Sequence, residues 1–410
     1  MNIKKLLILC GVLATTVGLW ACSDSGNASL SGNSRTIVGV ITGFGSVFVN
    51  GTEYETSHAS ITVNGQSSSE SDLAVGMPVA LNSSADGTVT AINTANELEG
   101  IVLNNDMATN STLNIMGLTV VVDNNTLFES KVAGINSAAA IAPGNIVEVY
   151  GFNGDNDQVF ATRLEVYAAN IIDFLSVHPQ GVEVKAALSN LDSTAKTFMI
   201  GTLPVSYNDN IVDSGPLVNG QFVEVKSTEG IVNNVLIAGK VEPAIKGVPG
   251  TDSGEFETRA KVTRDYDGTS FGIAGVNVII TSATEYRNGA SEADLVGGTL
   301  LKVEGHFDSN GDVVAKKVEL EIETEVSIET EGFVSAVETS DVNIGTVSLE
   351  SGRSFEVNNL TVMVDNRSID RQRMFNLSML AAGDYIKAGL HQNPSTGSEL
   401  ALKLKRDDAP

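Results

Sequence analysis

The chain has 410 residues, too many for one hydrophobic core to organise easily, so several domains are expected. Apolar residues make up 42% of it, which excludes a disordered chain, and 40 glycines beside few aromatics point to many tight turns around modest cores. A formal charge of −25 excludes nucleic acid as an ordinary partner and disfavours anionic lipid surfaces.

Residues 1–21 read as a secretory leader: Lys4 and Lys5 form a basic start, and Leu6 to Leu19 is an apolar run too short to span a bilayer comfortably. "LWAC", ending at Cys22, resembles the lipobox of bacterial lipoproteins, which implies lipidation of Cys22 with palmitate-type acyl chains. Ser23 after it resembles the outer-membrane sorting pattern. Three acyl chains would hold such a protein permanently, whereas one is marginal. An ordinary leader would instead leave Cys22 as an odd thiol in an oxidising compartment. No cysteine follows Cys22, so neither disulfides nor thiolate metal sites hold the fold. Loss of the leader removes two lysines and no acid, taking the formal charge from −25 to −27.

Residues 22–36 are polar and read as a tether. Five segments then share one pattern: "LAVGMPVAL" from Leu73, "IAPGNIVEV" from Ile141, "LVNGQFVEV" from Leu217, "LVGGTLLKV" from Leu295 and "LAAGDYIKA" from Leu380. Their glycines, Gly76, Gly144, Gly220, Gly298 and Gly383, are 68, 76, 78 and 85 residues apart. A second element follows in order, "ATRLE" from Ala161, "AKKVE" from Ala315 and "ALKLK" from Ala401, with a degenerate "AIN" from Ala91. Two linked elements recurring in order define a module of about seventy to eighty residues. The expected modules are 37–97, 98–168, 169–242, 256–323 and 326–406, with 243–255 as a Pro/Gly-rich linker. Residues 169–180 interrupt the third module and fit no part of the pattern.

Each module is expected to be β. "GLTVVVD", "GVNVIIT" and "NLTVMVD" are β-branched and alternating. Asn50-Gly51, Asn64-Gly65, Asp86-Gly87, Asn153-Gly154, Asp267-Gly268 and Asn310-Gly311 mark hairpin turns. Ser67 with Glu70, and Ser291 with Asp294, have capping-box spacing, and "RQRMFNLSML" has helical apolar spacing. A short helical turn is therefore expected before each shared glycine, which would take a left-handed conformation as the next strand begins. The fold class is all-β: tandem small antiparallel barrels, OB-like, or sandwiches, with short helical turns.

Candidate chemistry is sparse. "GFGSV", from Gly43, lacks the third glycine of a dinucleotide loop, since position 48 is Phe48, and "VFVNG" runs on as a hairpin. His58, His178, His306 and His391 are scattered singly, and no nucleophile elbow exists. The acidic turns "NGDNDQ", "RDYDG" and "DSNGD" offer Asp155, Asp157, Asp265, Asp267, Asp308 and Asp312 as weak Ca²⁺ ligands, though none has EF-hand spacing. Basic residues concentrate only at Lys316-Lys317 and in "KLKR" from Lys403, too few for a nucleic-acid face, and the second of these is suited to guarding an edge strand.

"GVITGFGSVFVNGTEYET" with "DLAVGMPVAL" resembles a bacterial repeat family described only as domains of unknown function, numbered 5666, carried in several copies on exported lipoproteins. The first two modules match it well, the fourth fairly, the third and fifth weakly. The resemblance implies export and β architecture and no catalytic residues. The expectation is a non-enzymatic outer-membrane lipoprotein of the bacterial envelope, binding or adhesion-type, contacting the membrane through its anchor and engaging an envelope protein or small ligand. The alternative is a structural spacer or assembly partner of an outer-membrane complex. No cofactor beyond weak Ca²⁺ is expected.

Overall fold

The computed structural model describes residues 34–410 except 85–86, 124, 214, 251–253, 322–325, 327 and 393–396. The leader, Cys22 and nearly all of the tether lie outside the described residues.

The second module shows how the pattern folds. Leu98–Asn105, Thr112–Ile115 and Leu118–Val121 form a meander whose alternate residues, such as Leu118 and Val120, are buried. Met116 and Gly117, both at positive φ, make the tight turn. A fourth strand, Leu127–Ser130, is followed by a 3-10 turn and by the fifth and sixth strands, Ile146–Asn153 and Gln158–Ala168. The fifth pairs antiparallel with the first and the sixth, and the sixth lies parallel to the third, so the sheet closes. This order, 1-2-3-6-5-1 with the fourth strand outside against the sixth, is an OB-like barrel.

Parallel pairs Val278↔Val313 and Glu356↔Leu400 close the fourth and fifth modules the same way. In the third, the sixth strand is broken: Val235–Ile237 pairs with the third strand and Lys240–Pro243 with the fifth. In the first, Val89–Thr94 has Ser60–Val63 as its parallel partner, and Thr52–Tyr54 pairs, among the described residues, only with Val47–Val49. Gly45 and Ser46 turn the chain between Phe44 and Val47, the corner of a hairpin.

The five shared glycines occupy one environment. Each has φ between 85° and 93°, a value that costs an L-residue but not glycine. Each donates its N–H to the opening strand: Gly76 to Ile41, Gly144 to Val102, Gly220 to Leu188, Gly298 to Val262 and Gly383 to Val334, at 2.8–2.9 Å. The next residue closes a four-residue turn onto the residue two before the glycine, as Asn145 N–H does on the Ala142 carbonyl at 3.1 Å. Glycine third in such a turn defines type II, and Pro143 at the second place of the second module's copy is preset for it. Leu73, Ile141, Leu295 and Leu380 are buried beneath.

Short helical turns stand before the shared glycines of the first, second, fourth and fifth modules, as expected, each a single 3-10 turn. "RQRMFNLSML" yields only the 3-10 turn Leu377–Met379. In the first module the capping box is Ser69 with Asp72 rather than Ser67 with Glu70, whose carboxylate accepts from Thr56 Oγ1 at 2.6 Å. In the third module the turn, Asp209–Ile211, lies well upstream of its glycine.

The modules interlock. Arg35–Val38 pairs parallel with Glu255–Thr258, joining the first and fourth modules in a thirteen-stranded sheet. Glu99↔Glu183 and Leu98↔Val184 join the second and third in another, and these two share one core. Leu127 and Tyr150 of the second module enter the first module's core, and Phe152 enters the fourth's. Burying such a phenylalanine stabilises by about 2–3 kcal/mol. The stretch 243–255 is no free linker: Val248 is buried in the fourth module's core, and the Gly250 carbonyl accepts from Asn82 Nδ2 at 3.1 Å. Residues 169–180 form a strap. Asn170 caps the helix Ile171–Leu175, Phe174 enters the shared core, and His178 stacks on Phe174 at 4.6 Å. Nor is the "KLKR" strand an edge: Glu399–Asp407 pairs on both sides, and its Arg406 is buried on Asp365.

Candidate functional site

The acidic turns are held by their own carboxylates. Asp308 Oδ1 accepts from the Asn310 and Asp312 N–H groups at 2.8 and 3.0 Å, and Asp267 Oδ1 from those of Thr269 and Ser270, both at 2.9 Å. Asp265 Oδ1 accepts from Gly297 N–H at 2.7 Å. Asp267 and Asp308 are committed to their own turns, and Asp265 to the turn at Gly297. Asp157 is exposed and leans against Gly201 of the third module.

Asp155 and Asp312 are different. Module docking brings their turns to one cavity of about 330 Å³ between the second and fourth modules, roofed by the stretch that carries Ile245 and Lys246. Phe152, just before the first turn, is buried in the fourth module's core and fixes the approach. Arg264 sets the floor: Nη1 donates to Asp267 and the Ser270 carbonyl, Nη2 to Ser270 Oγ and Asn277 Oδ1. With its donors engaged, this guanidinium is a strut. The Asp155 and Asp312 carboxylates and the exposed Lys246 ammonium make no hydrogen bond among the described residues, so they remain open to a ligand. Glycines 154, 272, 275 and 311 keep the wall low. Among the described residues no three of His, Cys, Asp and Glu converge to hold a metal ion.

A second cavity of about 180 Å³ lies where the first, second and fifth modules meet. Its cations are engaged. Arg163 bonds the Val75 carbonyl, Glu129 and Glu165; Arg371 pairs with Glu129; Arg373 donates to the carbonyls of Leu73 and Asp72 at 3.0 and 2.8 Å. Arg163, wholly buried, therefore pins the first module's type II turn onto the second module. Gly76 sits there against Leu127, Arg163 and the Thr162 carbonyl, while Gly144, Gly220, Gly298 and Gly383 have open space at the Cβ position.

The four histidines stay apart, His178 reaching 4.0 Å from a Glu99 oxygen. Two features escaped the sequence reading. One is a repeated threonine: Thr126, Thr284 and Thr361 donate Oγ1 to the carbonyls of Ala161, Ala315 and Ala401 at 2.7, 2.9 and 2.6 Å, tying the fourth strand to the sixth. Its signal was present, a threonine three residues after Asp123, Thr281 or Asn358, whose N–H it accepts. The other is a row of glutamates on adjacent strands, for which no local signal exists because strand register alone assembles it.

Three segments, 99–165, 260–319 and 331–405, match the model of the family described as "Domain of unknown function (DUF5666)". They are the second, fourth and fifth modules, those whose barrels close with an unbroken sixth strand. The first and third modules lie outside the matched segments. A solved structure described as "drosophila Unr CSD456" aligns at 9% identity over 55% of this chain and 97% of its own, with a TM-score of 0.13, too low to carry an argument. No curated protein matches the chain.

Proposed function

We propose that the chain is an exported, lipid-anchored binding protein of the bacterial envelope, without catalytic activity, whose ligand occupies the cavity between the second and fourth modules. The observation that carries the reading is the convergence there of Asp155, Asp312 and Lys246, two carboxylates and an ammonium without hydrogen-bond partners among the described residues, around about 330 Å³. Such a site suits a small polar molecule with donors for the carboxylates and an acceptor for the ammonium, as free amino acids and sugars have. Ca²⁺ is the weaker candidate, since two carboxylates fall short of its usual six to eight oxygens. The leader and Cys22 support anchoring in the outer membrane, and the acidic body supports the absence of nucleic-acid partners.

Thermal unfolding of the full chain in detergent tests the reading. A panel of amino acids, envelope sugars and CaCl₂ followed by chelator is added singly, and a true ligand at a hundred times its Kd stabilises by about 2.7 kcal/mol. The shift should vanish in Asp155→Asn/Asp312→Asn. A ligand whose shift survives that variant would place binding elsewhere, and no shift with any compound would sink the small-ligand reading.

The second reading, an assembly partner of an envelope complex, is favoured by Val218 and Val296. They occupy the same place in the type II turns of the third and fourth modules and are 59% and 45% exposed, a repeated apolar knob. The interlocked modules weigh against an extensible spacer.

A further inference from the structure

We propose that the second and third modules are joined by a proton-sensitive clasp, the row of glutamates Glu165, Glu148, Glu99 and Glu183 that lie directly opposite one another across four adjacent strands. Glu165 pairs with Glu148, Glu148 with Glu99, and Glu99 with Glu183, all in antiparallel register. The seam between modules runs between Glu99 and Glu183. Directly opposed side chains stand about 5 Å apart at Cβ, so four like charges in a row repel strongly unless protons or cations intervene. The row is shielded from water: Glu148 and Glu165 are buried, and the side chains of Glu99 and Glu183 are 14% and 17% exposed.

Cations stand at the ends of the row. Lys131 Nζ is 2.9 Å and Arg163 Nη2 3.1 Å from Glu165, whose carboxyl stays below its ordinary range under those two cations despite the opposing burial. Beyond Glu183 the register continues to Lys226, 3.7 Å from Glu183 and 3.4 Å from Glu224, with Lys185 3.9 Å from Glu224. The middle of the row has neutral partners. Asn96 Nδ2 donates to Glu148 at 3.1 Å, and the Tyr150 and Tyr167 rings stand beside the same carboxylate. Facing Glu99 from the strap is His178, whose own pKa is lowered by burial and by Lys131, which leaves the ring neutral at pH 7. Burial and then the charges of Glu148 and Glu183 push Glu99 up to about 8, and burial pushes Glu148 up as well. Burial also lifts Glu224, and Glu97 beside the row, to about 7.

The strand seam is short: its two register pairs are supplemented by the Lys185 N–H bond to the Glu97 carbonyl at 3.2 Å, and away from the strands the modules meet again where Thr202 N–H donates to the Gly117 carbonyl at 3.1 Å and Asn114 Nδ2 to Thr202 Oγ1 at 3.3 Å. With a proton on Glu99 the pair across the seam carries one charge; without it, two carboxylates face each other on the strands that join the modules. A carboxyl whose folded pKa exceeds its unfolded value favours folding fully below pH 4.5, and that contribution is lost as pH rises through the folded value near 8.

The test is the thermal midpoint of the full chain in detergent between pH 5.5 and 8.5, for wild type, Glu99→Gln and the exposed control Glu285→Gln. The wild-type midpoint should fall across this window more steeply than that of Glu99→Gln, the difference in slope corresponding to about one proton bound by the folded state, while Glu285→Gln follows wild type. Parallel curves for wild type and Glu99→Gln would overturn the clasp, as would a wild-type curve that rises more steeply with pH than the variant's. If Glu99→Gln does not fold, infrared spectroscopy of wild type decides: a protonated-carboxyl stretch still present at pH 7.5, above the values of Glu97 and Glu224, and lost by pH 9 supports the clasp, and its absence at pH 7.5 refutes it.

Discussion

Alanine at the five shared glycines separates backbone conformation from module docking. At Gly144, Gly220, Gly298 and Gly383 a Cβ meets nothing within 4 Å, so the cost is that of holding an L-residue at φ near +90°, roughly 1–2 kcal/mol, offset by about 0.5 kcal/mol from the stiffer unfolded chain. At Gly76 the same Cβ would lie 2.9 Å from Leu127 Cδ1 and 3.2 Å from both Arg163 Cβ and the Thr162 carbonyl. Leu127 Cδ1 can shift slightly, but a backbone carbonyl and the root of a buried arginine cannot, and forcing a methyl against them adds about 1–3 kcal/mol. Gly76→Ala is therefore expected to destabilise by about 1–3 kcal/mol more than Gly144→Ala. Urea unfolding followed by far-ultraviolet circular dichroism reads the difference, the sole tryptophan, Trp20, lying outside the described residues. Equal midpoints for the two variants would refute the docking of the first turn on the second module.

Thr361→Val should lower stability by about 1–3 kcal/mol, because it strands the buried Ala401 carbonyl and the Asn358 N–H, while Thr361→Ser should stay near wild type. A thermal midpoint for Thr361→Val equal to wild type would remove the threonine tie. Asp365 accepts from Arg367, Arg406 and the Gln372 N–H, which hold its carboxyl far below the ordinary range. Its contribution is present above pH 4 and lost as pH falls toward the folded value. Asp365→Asn removes one of the two carboxylates on the buried Arg406, leaving Asp384 at 3.4 Å, and should cost about 1.5–3 kcal/mol at pH 7 and less at pH 3; a urea midpoint gap that does not narrow with acid would count against this account.

The all-β modules were legible because their cause is local: β-branched alternation, Asn-Gly corners, and a glycine that only one backbone conformation explains. What depended on packing was not. "KLKR" looked like a guarded edge because its charges are local, whereas its burial comes from strands on either side. "RQRMFNLSML" has helical spacing, yet Phe375 and Leu377 serve the core from an irregular path and Arg371 and Arg373 reach other modules. At the candidate cavity, Asp155 and Asp312 were visible as oxygen ligands, but so were Asp265, Asp267 and Asp308, and only the docking of two modules separates the free carboxylates from those that cap turns. The glutamate row lay further still from view, since "LEG", "VEV" and "RLE" are each ordinary outward positions until register aligns them.

The parallel pairing of Arg35–Val38 with Glu255–Thr258 has a mechanical consequence. The first described strand is not an edge: Arg35 is opposite Ser83 on one side and Glu255 on the other. Tension entering at the amino end therefore loads hydrogen bonds on both flanks at once and passes directly into the fourth module, two hundred residues downstream. A pull on this end strains the whole assembly instead of peeling its first barrel away.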